Sequence, residues 1–176
     1  MSGAALITGA SRRIGRTLAV QAARSGFDVA VHHRDSQDDA AQTAALVEAE
    51  GRRAIVLAGD LTDADIGRLI GQASAALGPV TLLVNNASMF LEDRFDSFAA
   101  ATLDAHMAVN VRAPAVLSQA MAAALPADRA GLVVNILDQR VWRPNPQFFG
   151  YSLSKAALWH ATRTMAQALA PRIRVN

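Results

Sequence analysis

The residues best suited to chemistry are Tyr151 and Lys155, the only tyrosine and the only lysine in the 176-residue sequence. They lie four residues apart, so on a helix both side chains project from one face. All other basic residues are arginine, which suggests that position 155 requires a compact ammonium group. A phenol with an ordinary pKa of about 10 exchanges its proton poorly near neutrality, and a nearby ammonium group is expected to lower that pKa. The two side chains are thus a candidate pair for proton transfer, with coincidence of composition as the alternative.

The elements that would position this pair alternate between short Val-, Leu- and Ile-rich runs and longer amphipathic, Ala-rich segments, the pattern of βαβ units. Strands are predicted at residues 4–8, 28–32, 54–58, 81–85 and 132–137, and a further strand is predicted to begin at 172–176. Helices are predicted at residues 14–25, 38–50, 63–76, 98–125 with a break, and 151–169. Gly26, Gly51 and Gly78 follow three of these helices as expected caps. We therefore predict an α/β fold with a Rossmann-like, doubly wound parallel sheet flanked by helices, as a single domain over residues 1–176.

The turn between the first strand and the first helix reads Thr-Gly-Ala-Ser-Arg-Arg-Ile-Gly over residues 8–15. Glycines in such a turn let the backbone approach a pyrophosphate, whose charge the helix N-terminus favours. The alternative is that the glycines serve the turn alone. The candidate cofactor-binding residues in this turn are Gly9, Ser11, Arg12, Arg13, Ile14 and Gly15.

The second strand is followed by His33, Arg34, Asp35 and Ser36, not by the single acidic residue that would bind the ribose hydroxyls of NAD. Arg34, Ser36 and one of Arg12 or Arg13 can instead surround a 2′-phosphate, because guanidinium groups match its oxygens. This pattern indicates NADP(H). Asp35 weighs against it, and the alternative is that these arginines are ordinary surface residues.

Two further groups of residues follow the third and fourth strands, at the carboxyl edge of the sheet where ligands bind. We expect them to line the adenine and nicotinamide-ribose sites, although Asn86 could equally stabilise a local turn. They are Asp60, Leu61, Asn86, Ala87 and Ser88.

Composition excludes several classes of protein. The absence of cysteine excludes disulfides, thiolate metal sites and a cysteine nucleophile, and no metal site is predicted. A net charge of +2, with basic residues scattered along the chain, argues against nucleic acid as a partner. The N-terminus lacks a basic leader region, and its apolar run is too short to cross a membrane, so we expect a cytoplasmic protein without membrane partners.

The order of these motifs resembles the short-chain dehydrogenase/reductase family across essentially the whole chain. The matching residues are Thr8-Gly9 through Gly15, Asn85-Asn86-Ala87, Asn110 and Tyr151-x-x-x-Lys155, although Arg13 replaces the usual glycine. The resemblance implies that Lys155 also holds the nicotinamide ribose and that the backbone carbonyl of Asn110 holds a water molecule linked to Lys155. It also implies a longer C-terminal part, which would carry the substrate-covering region and a last strand, and a homotetramer.

Pro114 bears on the proposed role of Asn110. Proline has no N–H to donate to the carbonyl of Asn110, so the helix is expected to kink there and to free that carbonyl toward the site. A kink that serves packing alone is the alternative.

Asp138 departs from the family pattern, because most members carry serine at this position. An ionised carboxylate can only accept hydrogen bonds, so Asp138 should oppose ionisation of Tyr151 and suit a substrate that presents N–H groups. Simple drift of the site is the alternative.

Together with Arg13, His33-Arg34 and residues 86–90, Asp138 resembles the pteridine reductase branch of the family. That resemblance implies that Phe90 stacks on a pterin and that Ser88 and Arg13 contact the substrate or the cofactor phosphate. Phe90 could instead be ordinary core.

The leading functional prediction is NADPH-dependent reduction of a dihydropterin, with Asp138, Tyr151, Lys155 and Asn110 as catalytic residues. Arg13, Ser88, Phe90, Asp138 and Tyr151 are the predicted substrate-binding residues. One alternative is reduction of an ordinary ketone or an acyl-carrier-linked carbonyl. Another, of a different class, is a non-catalytic NADP-binding sensor or scaffold, against which an intact Tyr151 and Lys155 weigh.

Overall fold

A computed structural model describes residues 3–176. Met1 and Ser2, part of the N-terminus in which no leader is predicted, lie outside the described residues.

One parallel sheet forms the centre of the fold. Its strands are β1 Ala4–Ile7, β2 Asp28–His33, β3 Ala54–Ala58, β4 Val80–Asn85, β5 Gly131–Asn135 and β6 Ile173–Val175. They lie side by side in the order β3-β2-β1-β4-β5-β6, and every pairing is parallel. The five predicted strands are confirmed, and the segment predicted to begin a further strand forms β6 beside β5.

Helices cover both faces of the sheet, as a doubly wound fold requires. They are α1 Arg13–Arg24, α2 Gln37–Ala49, α3 Arg68–Leu77, α4 Ala100–Met107, α5 Ala113–Ala124 and α6 Phe149–Leu169. Ala4 and Leu6 of β1 belong to the core cluster that includes α3 and α5, whereas Ala5 and Ile7 belong to the cluster that includes α1 and α2. Strand β1 is apolar throughout because both of its faces are buried.

The start of α3 differs from the prediction. This helix begins at Arg68 rather than at residue 63. The carboxylate of Asp60 accepts hydrogen bonds from the backbone N–H and the hydroxyl of Thr62, both at 2.8 Å, and so stabilises a turn that competes with helix. Gly26, Gly51 and Gly78 all have positive φ angles, as predicted for residues that end helices, but Gly78 has a ψ of 179° and so is extended and not a left-handed helical cap.

The break predicted in the long helix is present. Helices α4 and α5 are separated by a π-helical segment, Ala108–Arg112, with Asn110 at its centre. Pro114 lies in the first turn of α5 and has no N–H for the carbonyl of Asn110. A wider turn accommodates the missing hydrogen bond, and such π-turns are frequent at functional sites.

Candidate active site

A cleft of about 820 Å³ lies along the carboxyl ends of the central strands, where the loops after β1, β2, β4 and β5 meet. Every site residue predicted from the sequence lines this cleft, with the single exception of Asn110. Parallel strands bring these distant segments together because their carboxyl ends share one edge of the sheet. The cleft therefore joins the glycine turn at one end to Tyr151 at the other.

The glycine turn has little room for side chains. Gly9 adopts a φ of 62°, in the left-handed region, and a Cβ atom on Gly15 would collide with the Gly9 carbonyl oxygen. Arg13, at the position where the family usually has glycine, also lies in the left-handed region, with a φ of 51°. A non-glycine residue in that conformation is strained by about 1–3 kcal/mol, so the surrounding turn imposes it.

Asn86 braces the glycine turn. Its side-chain amide donates hydrogen bonds to the carbonyls of Thr8 and Gly9, at 2.9 and 3.1 Å. The Thr8 hydroxyl in turn accepts hydrogen bonds from the backbone N–H groups of Asn86 and Ala87, both at 3.0 Å. The Asn86 side chain thus fixes the loop after β4 to the turn after β1, 77 and 78 residues away, and does not stabilise a local turn as the alternative supposed.

His32, which sequence reasoning missed, supports the same turn from β2. Its Nδ1 accepts a hydrogen bond from the Gly9 N–H at 3.2 Å, and its Nε2 lies 3.0 Å from the carbonyl oxygen of Gly59. Burial lowers the pKa of His32 to about 4, so the ring is neutral at physiological pH. With Nδ1 accepting, Nε2 carries the proton and donates to Gly59. The only sequence signal was a histidine at the end of a buried strand.

Polar side chains gather at the end of the cleft beyond β2. The Arg12 guanidinium donates a hydrogen bond to the Ser36 hydroxyl at 3.3 Å, and His33 accepts one from the backbone of Ser36 at 3.2 Å. Arg34 forms an ion pair with Asp35 at 3.1 Å, and its side chain is 60% exposed. Two exposed guanidinium groups and a hydroxyl therefore face this end of the cleft, as the sequence predicted.

Tyr151 and Asp138 are directly hydrogen-bonded. The Tyr151 hydroxyl donates to Oδ2 of Asp138 at 3.0 Å. Asp138 lies beyond the end of β5 and caps a short 3₁₀ turn, Gln139–Val141. Burial, reinforced by the Asp138 carboxylate, raises the pKa of Tyr151 to about 12. The predicted opposition of Asp138 to phenol ionisation is therefore present in the geometry.

Lys155 does not act on the phenol as the sequence suggested. Its ammonium group donates a hydrogen bond to the backbone carbonyl of Ile136 at 2.7 Å and lies 5.8 Å from the centre of the Tyr151 ring. Burial lowers the pKa of Lys155 itself to about 8. The expected lowering of the Tyr151 pKa is therefore not found, because burial and the adjacent Asp138 carboxylate raise it.

The aromatic residue predicted for stacking already has a partner. The rings of Phe90 and Phe148 are stacked, with centroids 4.5 Å apart, and Phe90 meets Tyr151 edge to face at 4.6 Å. Phe90 nevertheless remains 50% exposed at the cleft. It is therefore not ordinary core.

Asn110 lies behind the cleft, and its buried side chain ties two segments of the site together. Its amide oxygen accepts hydrogen bonds from the Met89 N–H at 2.8 Å and the Ser88 hydroxyl at 3.1 Å. Its amide nitrogen donates to the Met89 carbonyl at 3.0 Å and to the Ser154 hydroxyl at 2.9 Å. The side chain thus positions the Ser88 loop against α6, a role that the sequence did not indicate. The water-holding role of its carbonyl stays a prediction.

A second buried support, also missed, lies under the start of α6. The Asp93 carboxylate accepts the Gly150 N–H, with its two oxygens at 2.9 and 3.1 Å. The buried His106 accepts a hydrogen bond from the Leu91 N–H at 3.3 Å, so it holds the loop after Phe90. A Cβ atom on Gly150 would lie 2.5 Å from Asp93 and 3.0 Å from His106. Only glycine fits between these side chains, and this contact places Tyr151 at the first turn of α6.

Comparison with known proteins identifies the group to which this chain belongs. The short chain dehydrogenase family model matches residues 3–176. The chain is a member of the short-chain dehydrogenase family.

Relatives within this family differ in what they act on. The chain is 34% identical over 169 residues to gluconate 5-dehydrogenase of Gluconobacter oxydans, covering 94% of this chain and 65% of the relative. It is 31% identical over 175 residues to a short-chain type dehydrogenase/reductase of Picea abies, covering 94% of this chain and 64% of that protein. The chain thus spans slightly less than two thirds of the length of these curated relatives.

Solved short-chain dehydrogenase structures match the fold closely. The alternative dihydrofolate reductase 1, FolM, of Brucella suis, solved in complex with NADP, shares 50% identity at a TM-score of 0.95, over 99% of this chain and 73% of that one. A short chain dehydrogenase of Burkholderia cenocepacia, also in complex with NADP, shares 37% identity at a TM-score of 0.93, over 99% of this chain and 71% of that one.

Residues 3–176 of this short-chain dehydrogenase contain neither a candidate metal site nor a candidate membrane-spanning helix. In that range no three His, Cys, Asp or Glu side chains cluster so that they could hold a metal ion. None of the helices described there is both long and apolar enough to span a bilayer.

The buried Lys155 of this short-chain dehydrogenase predicts a pH dependence of stability. Its pKa of about 8 lies below the ordinary value of 10.5. Between these values the unfolded chain binds more protons, so the free energy of unfolding rises with pH. We expect a rise of about 2 kcal/mol between pH 8 and about pH 10, measured by urea unfolding, and its loss in Lys155→Met. An equal rise in both proteins would contradict the assignment. The raised folded-state pKa of Tyr151 makes the free energy of unfolding fall with pH, but only above the ordinary tyrosine pKa of 10.

Proposed function

We propose that this short-chain dehydrogenase is an NADPH-dependent reductase that transfers hydride to a dihydropterin. The observation that carries the proposal is the hydrogen bond from the Tyr151 hydroxyl to the Asp138 carboxylate within the cleft. A carboxylate beside the phenol favours a ligand that presents N–H groups over a simple ketone, which presents only an acceptor. The 50% identity to a protein named alternative dihydrofolate reductase supports the same substrate class.

The residues at the other end of the cleft fit NADP(H). A Cβ atom on Gly15 would collide with the Gly9 carbonyl oxygen, so glycine allows α1 to begin close against the turn, where backbone N–H groups favour phosphate. Arg12, Arg34 and Ser36 line the cleft beyond β2 and are the proposed contacts for a 2′-phosphate. Two solved relatives named above contain NADP, which supports the choice of cofactor.

Once bound, NADPH supplies the hydride for the ring carbon of the C=N bond of the substrate. In the proposed reaction the Tyr151 hydroxyl gives its proton to the nitrogen, and solvent replaces that proton. One hydride and one proton convert C=N to CH–NH, so the step is balanced. Lys155, buried one helical turn from Tyr151, is assigned to the nicotinamide ribose. Phe90, Ser88 and Arg13 are the proposed contacts for the flat ring of the substrate.

The decisive experiment is a steady-state assay of NADPH oxidation by the full-length protein. Dihydrobiopterin, dihydromonapterin and dihydrofolate are compared with ketones and with acyl-carrier-linked 3-oxoacyl substrates. Turnover of at least one dihydropterin well above the rate without substrate is expected. Turnover of ketones alone would favour the general carbonyl reductase, and NADPH binding without any turnover would favour a sensor or scaffold.

The proposed 2′-phosphate contact predicts a change of cofactor preference. Replacing Arg34 with alanine removes one guanidinium group from the phosphate, so we expect Kd for NADPH to rise about 10- to 100-fold. Affinity for NADH, which lacks that phosphate, should change little. Arg24→Ala is a matched control, because Arg24 is an exposed arginine paired with Glu50. Equal weakening of both cofactors in Arg34→Ala would contradict the assignment.

We also propose that the protein assembles as a homotetramer and is located in the cytoplasm. Trp142 and Phe95, beside the active-site helix, are 72% and 73% exposed, and large exposed aromatic side chains favour association. Light scattering on the full-length protein tests the assembly.

A further inference from the structure

Arg140 is attached to Asp138 by three contacts. Its backbone N–H donates to Oδ1 of Asp138 at 2.9 Å, and its Nη1 lies 3.2 Å from Oδ1 and 3.3 Å from Oδ2. Both side chains are mostly buried, at 20% and 23% exposure. The residue lines the cleft but was not identified from the sequence.

Aromatic rings help to hold the Arg140 guanidinium beside Asp138. Its guanidinium carbon is 5.2 Å from the Phe90 centroid and 4.9 Å from the Phe148 centroid. The guanidinium also lies over the Tyr151 ring, 5.7 Å from its centroid. These cation–π contacts add to the charge-assisted hydrogen bonds with Asp138, which are the stronger interactions. The carboxylate of Asp138 and the surrounding rings therefore together hold Arg140.

The charged and hydrogen-bonding groups that face Asp138 keep it ionised. From its own loop there is Arg140, and from α6 there are the Tyr151 hydroxyl and, farther away, Lys155. His106, which packs 6.4 Å from the Tyr151 ring, is buried, and that burial lowers its pKa. Burial opposes ionisation of Asp138, but its hydrogen bonds to Arg140 and Tyr151 lower its pKa below the ordinary range.

We propose that Arg140 is a positioning residue that fixes Asp138 as an anion, so that Asp138 recognises amino and ring N–H groups of the substrate and does not supply the proton. The inference rests on the proposed function and deepens it. An ionised carboxylate has no proton to give, which leaves Tyr151 as the donor.

Both oxygens of the Asp138 carboxylate already accept hydrogen bonds. Binding of a substrate N–H is therefore linked to release of the Tyr151 hydroxyl for proton transfer. Oδ1 already accepts two contacts from Arg140, and Oδ2 accepts Tyr151 and Nη1 of Arg140. A carboxylate offers about four acceptor positions, so all are in use. A substrate N–H that takes the place of the Tyr151 hydroxyl at Oδ2 frees that hydroxyl to donate to the reacting nitrogen. A ligand without that N–H leaves the phenol bound to Asp138.

The test compares two pteridines that differ at one group: pterin, which has an amino group at ring position 2, and pteridin-4-one, which has a hydrogen atom there. Their Kd values are measured by calorimetry on the full-length protein saturated with NADP⁺, at pH 7. For the wild type we expect pterin to bind about tenfold more tightly, because pteridin-4-one has no amino N–H to donate to the carboxylate. In Arg140→Gln the preference should fall below about threefold, whereas Arg140→Lys should retain most of it.

A second measurement separates loss of charge from loss of folding. In Arg140→Gln, Asp138 lacks its guanidinium partner and should take up a proton on acidification, so pterin binding should weaken between pH 7 and pH 5. The wild type and the control Arg143→Gln, an exposed arginine in the same loop, should show no such change. Unaltered NADP⁺ affinity verifies that each variant is folded.

The outcomes distinguish the two proposals. Equal binding of the two pteridines by the wild type, or an unchanged preference in folded Arg140→Gln, would overturn the role of Arg140 and leave dihydropterin reduction standing. Failure of the wild type to bind either pteridine, together with no turnover of dihydropterins, would remove both.

Discussion

Replacing Tyr151 with phenylalanine is expected to lower kcat for dihydropterin reduction about 10²- to 10⁴-fold, the usual contribution of a positioned acid. The variant keeps the ring that packs against Phe90 and loses only the hydroxyl that donates to Asp138. Stability and Kd for NADPH should therefore change little. Stopped-flow measurement of single-turnover NADPH oxidation isolates the chemical step.

Normal single-turnover rates in Tyr151→Phe would show that another group donates the proton. Within the cleft that group would be Asp138, and the charge state assigned to Asp138 would also be wrong. Ser152→Ala is a suitable control, because Ser152 is a buried neighbour on α6 whose hydroxyl has no hydrogen-bond partner among residues 3–176.

Asp138→Asn should release Tyr151 from the carboxylate and lower its pKa. Removing the negative charge shifts the Tyr151 pKa from about 12 toward its ordinary value of 10.0, while burial keeps it from falling further. Tyr151 is the only tyrosine among the 176 residues, so in this chain the ultraviolet absorbance of tyrosinate titrates this one group. Tryptophan fluorescence verifies that the protein remains folded over the titration.

The same substitution should change the substrate. We expect dihydropterin reduction by Asp138→Asn to fall about 100-fold in kcat/KM, since an amide is a weaker acceptor and no longer carries charge. Asp138→Ser, which restores the usual family residue, should gain turnover of simple ketones. An unchanged Tyr151 titration in Asp138→Asn would show that the hydrogen bond does not govern the phenol, and an unchanged substrate preference would remove the basis for a pterin.

Much of the fold followed from local patterns. The alternation of apolar runs and amphipathic segments predicted the parallel sheet, and the predicted strand bounds agree with the observed ones within two residues. A strand that is buried on both faces is apolar along its length, so its bounds can be read from the sequence. The predicted start of α3 was wrong, because the Asp60 side chain stabilises a turn that competes with helix, and hydrophobic periodicity does not detect such a turn.

The candidate site was predicted unevenly. Residues such as Gly9 and Tyr151 were found because their type and spacing are tied to motifs. His32, Asp93 and Arg140 were missed, since each acts through a neighbour that only folding brings near or through a charge that only burial makes important.

For Tyr151 and Lys155, some properties follow from the sequence and others only from the tertiary structure. Sequence alone determined that the two side chains share a helix face, because that depends on a spacing of four residues. Only the tertiary structure decided their proton states: α6 buries both, the loop after β5 sets Asp138 against the phenol, and Lys155 bonds to Ile136. The same holds for Asn86, whose partner Thr8 is 78 residues away. Proton affinity depends on desolvation and on distances between remote segments, and neither is contained in local sequence.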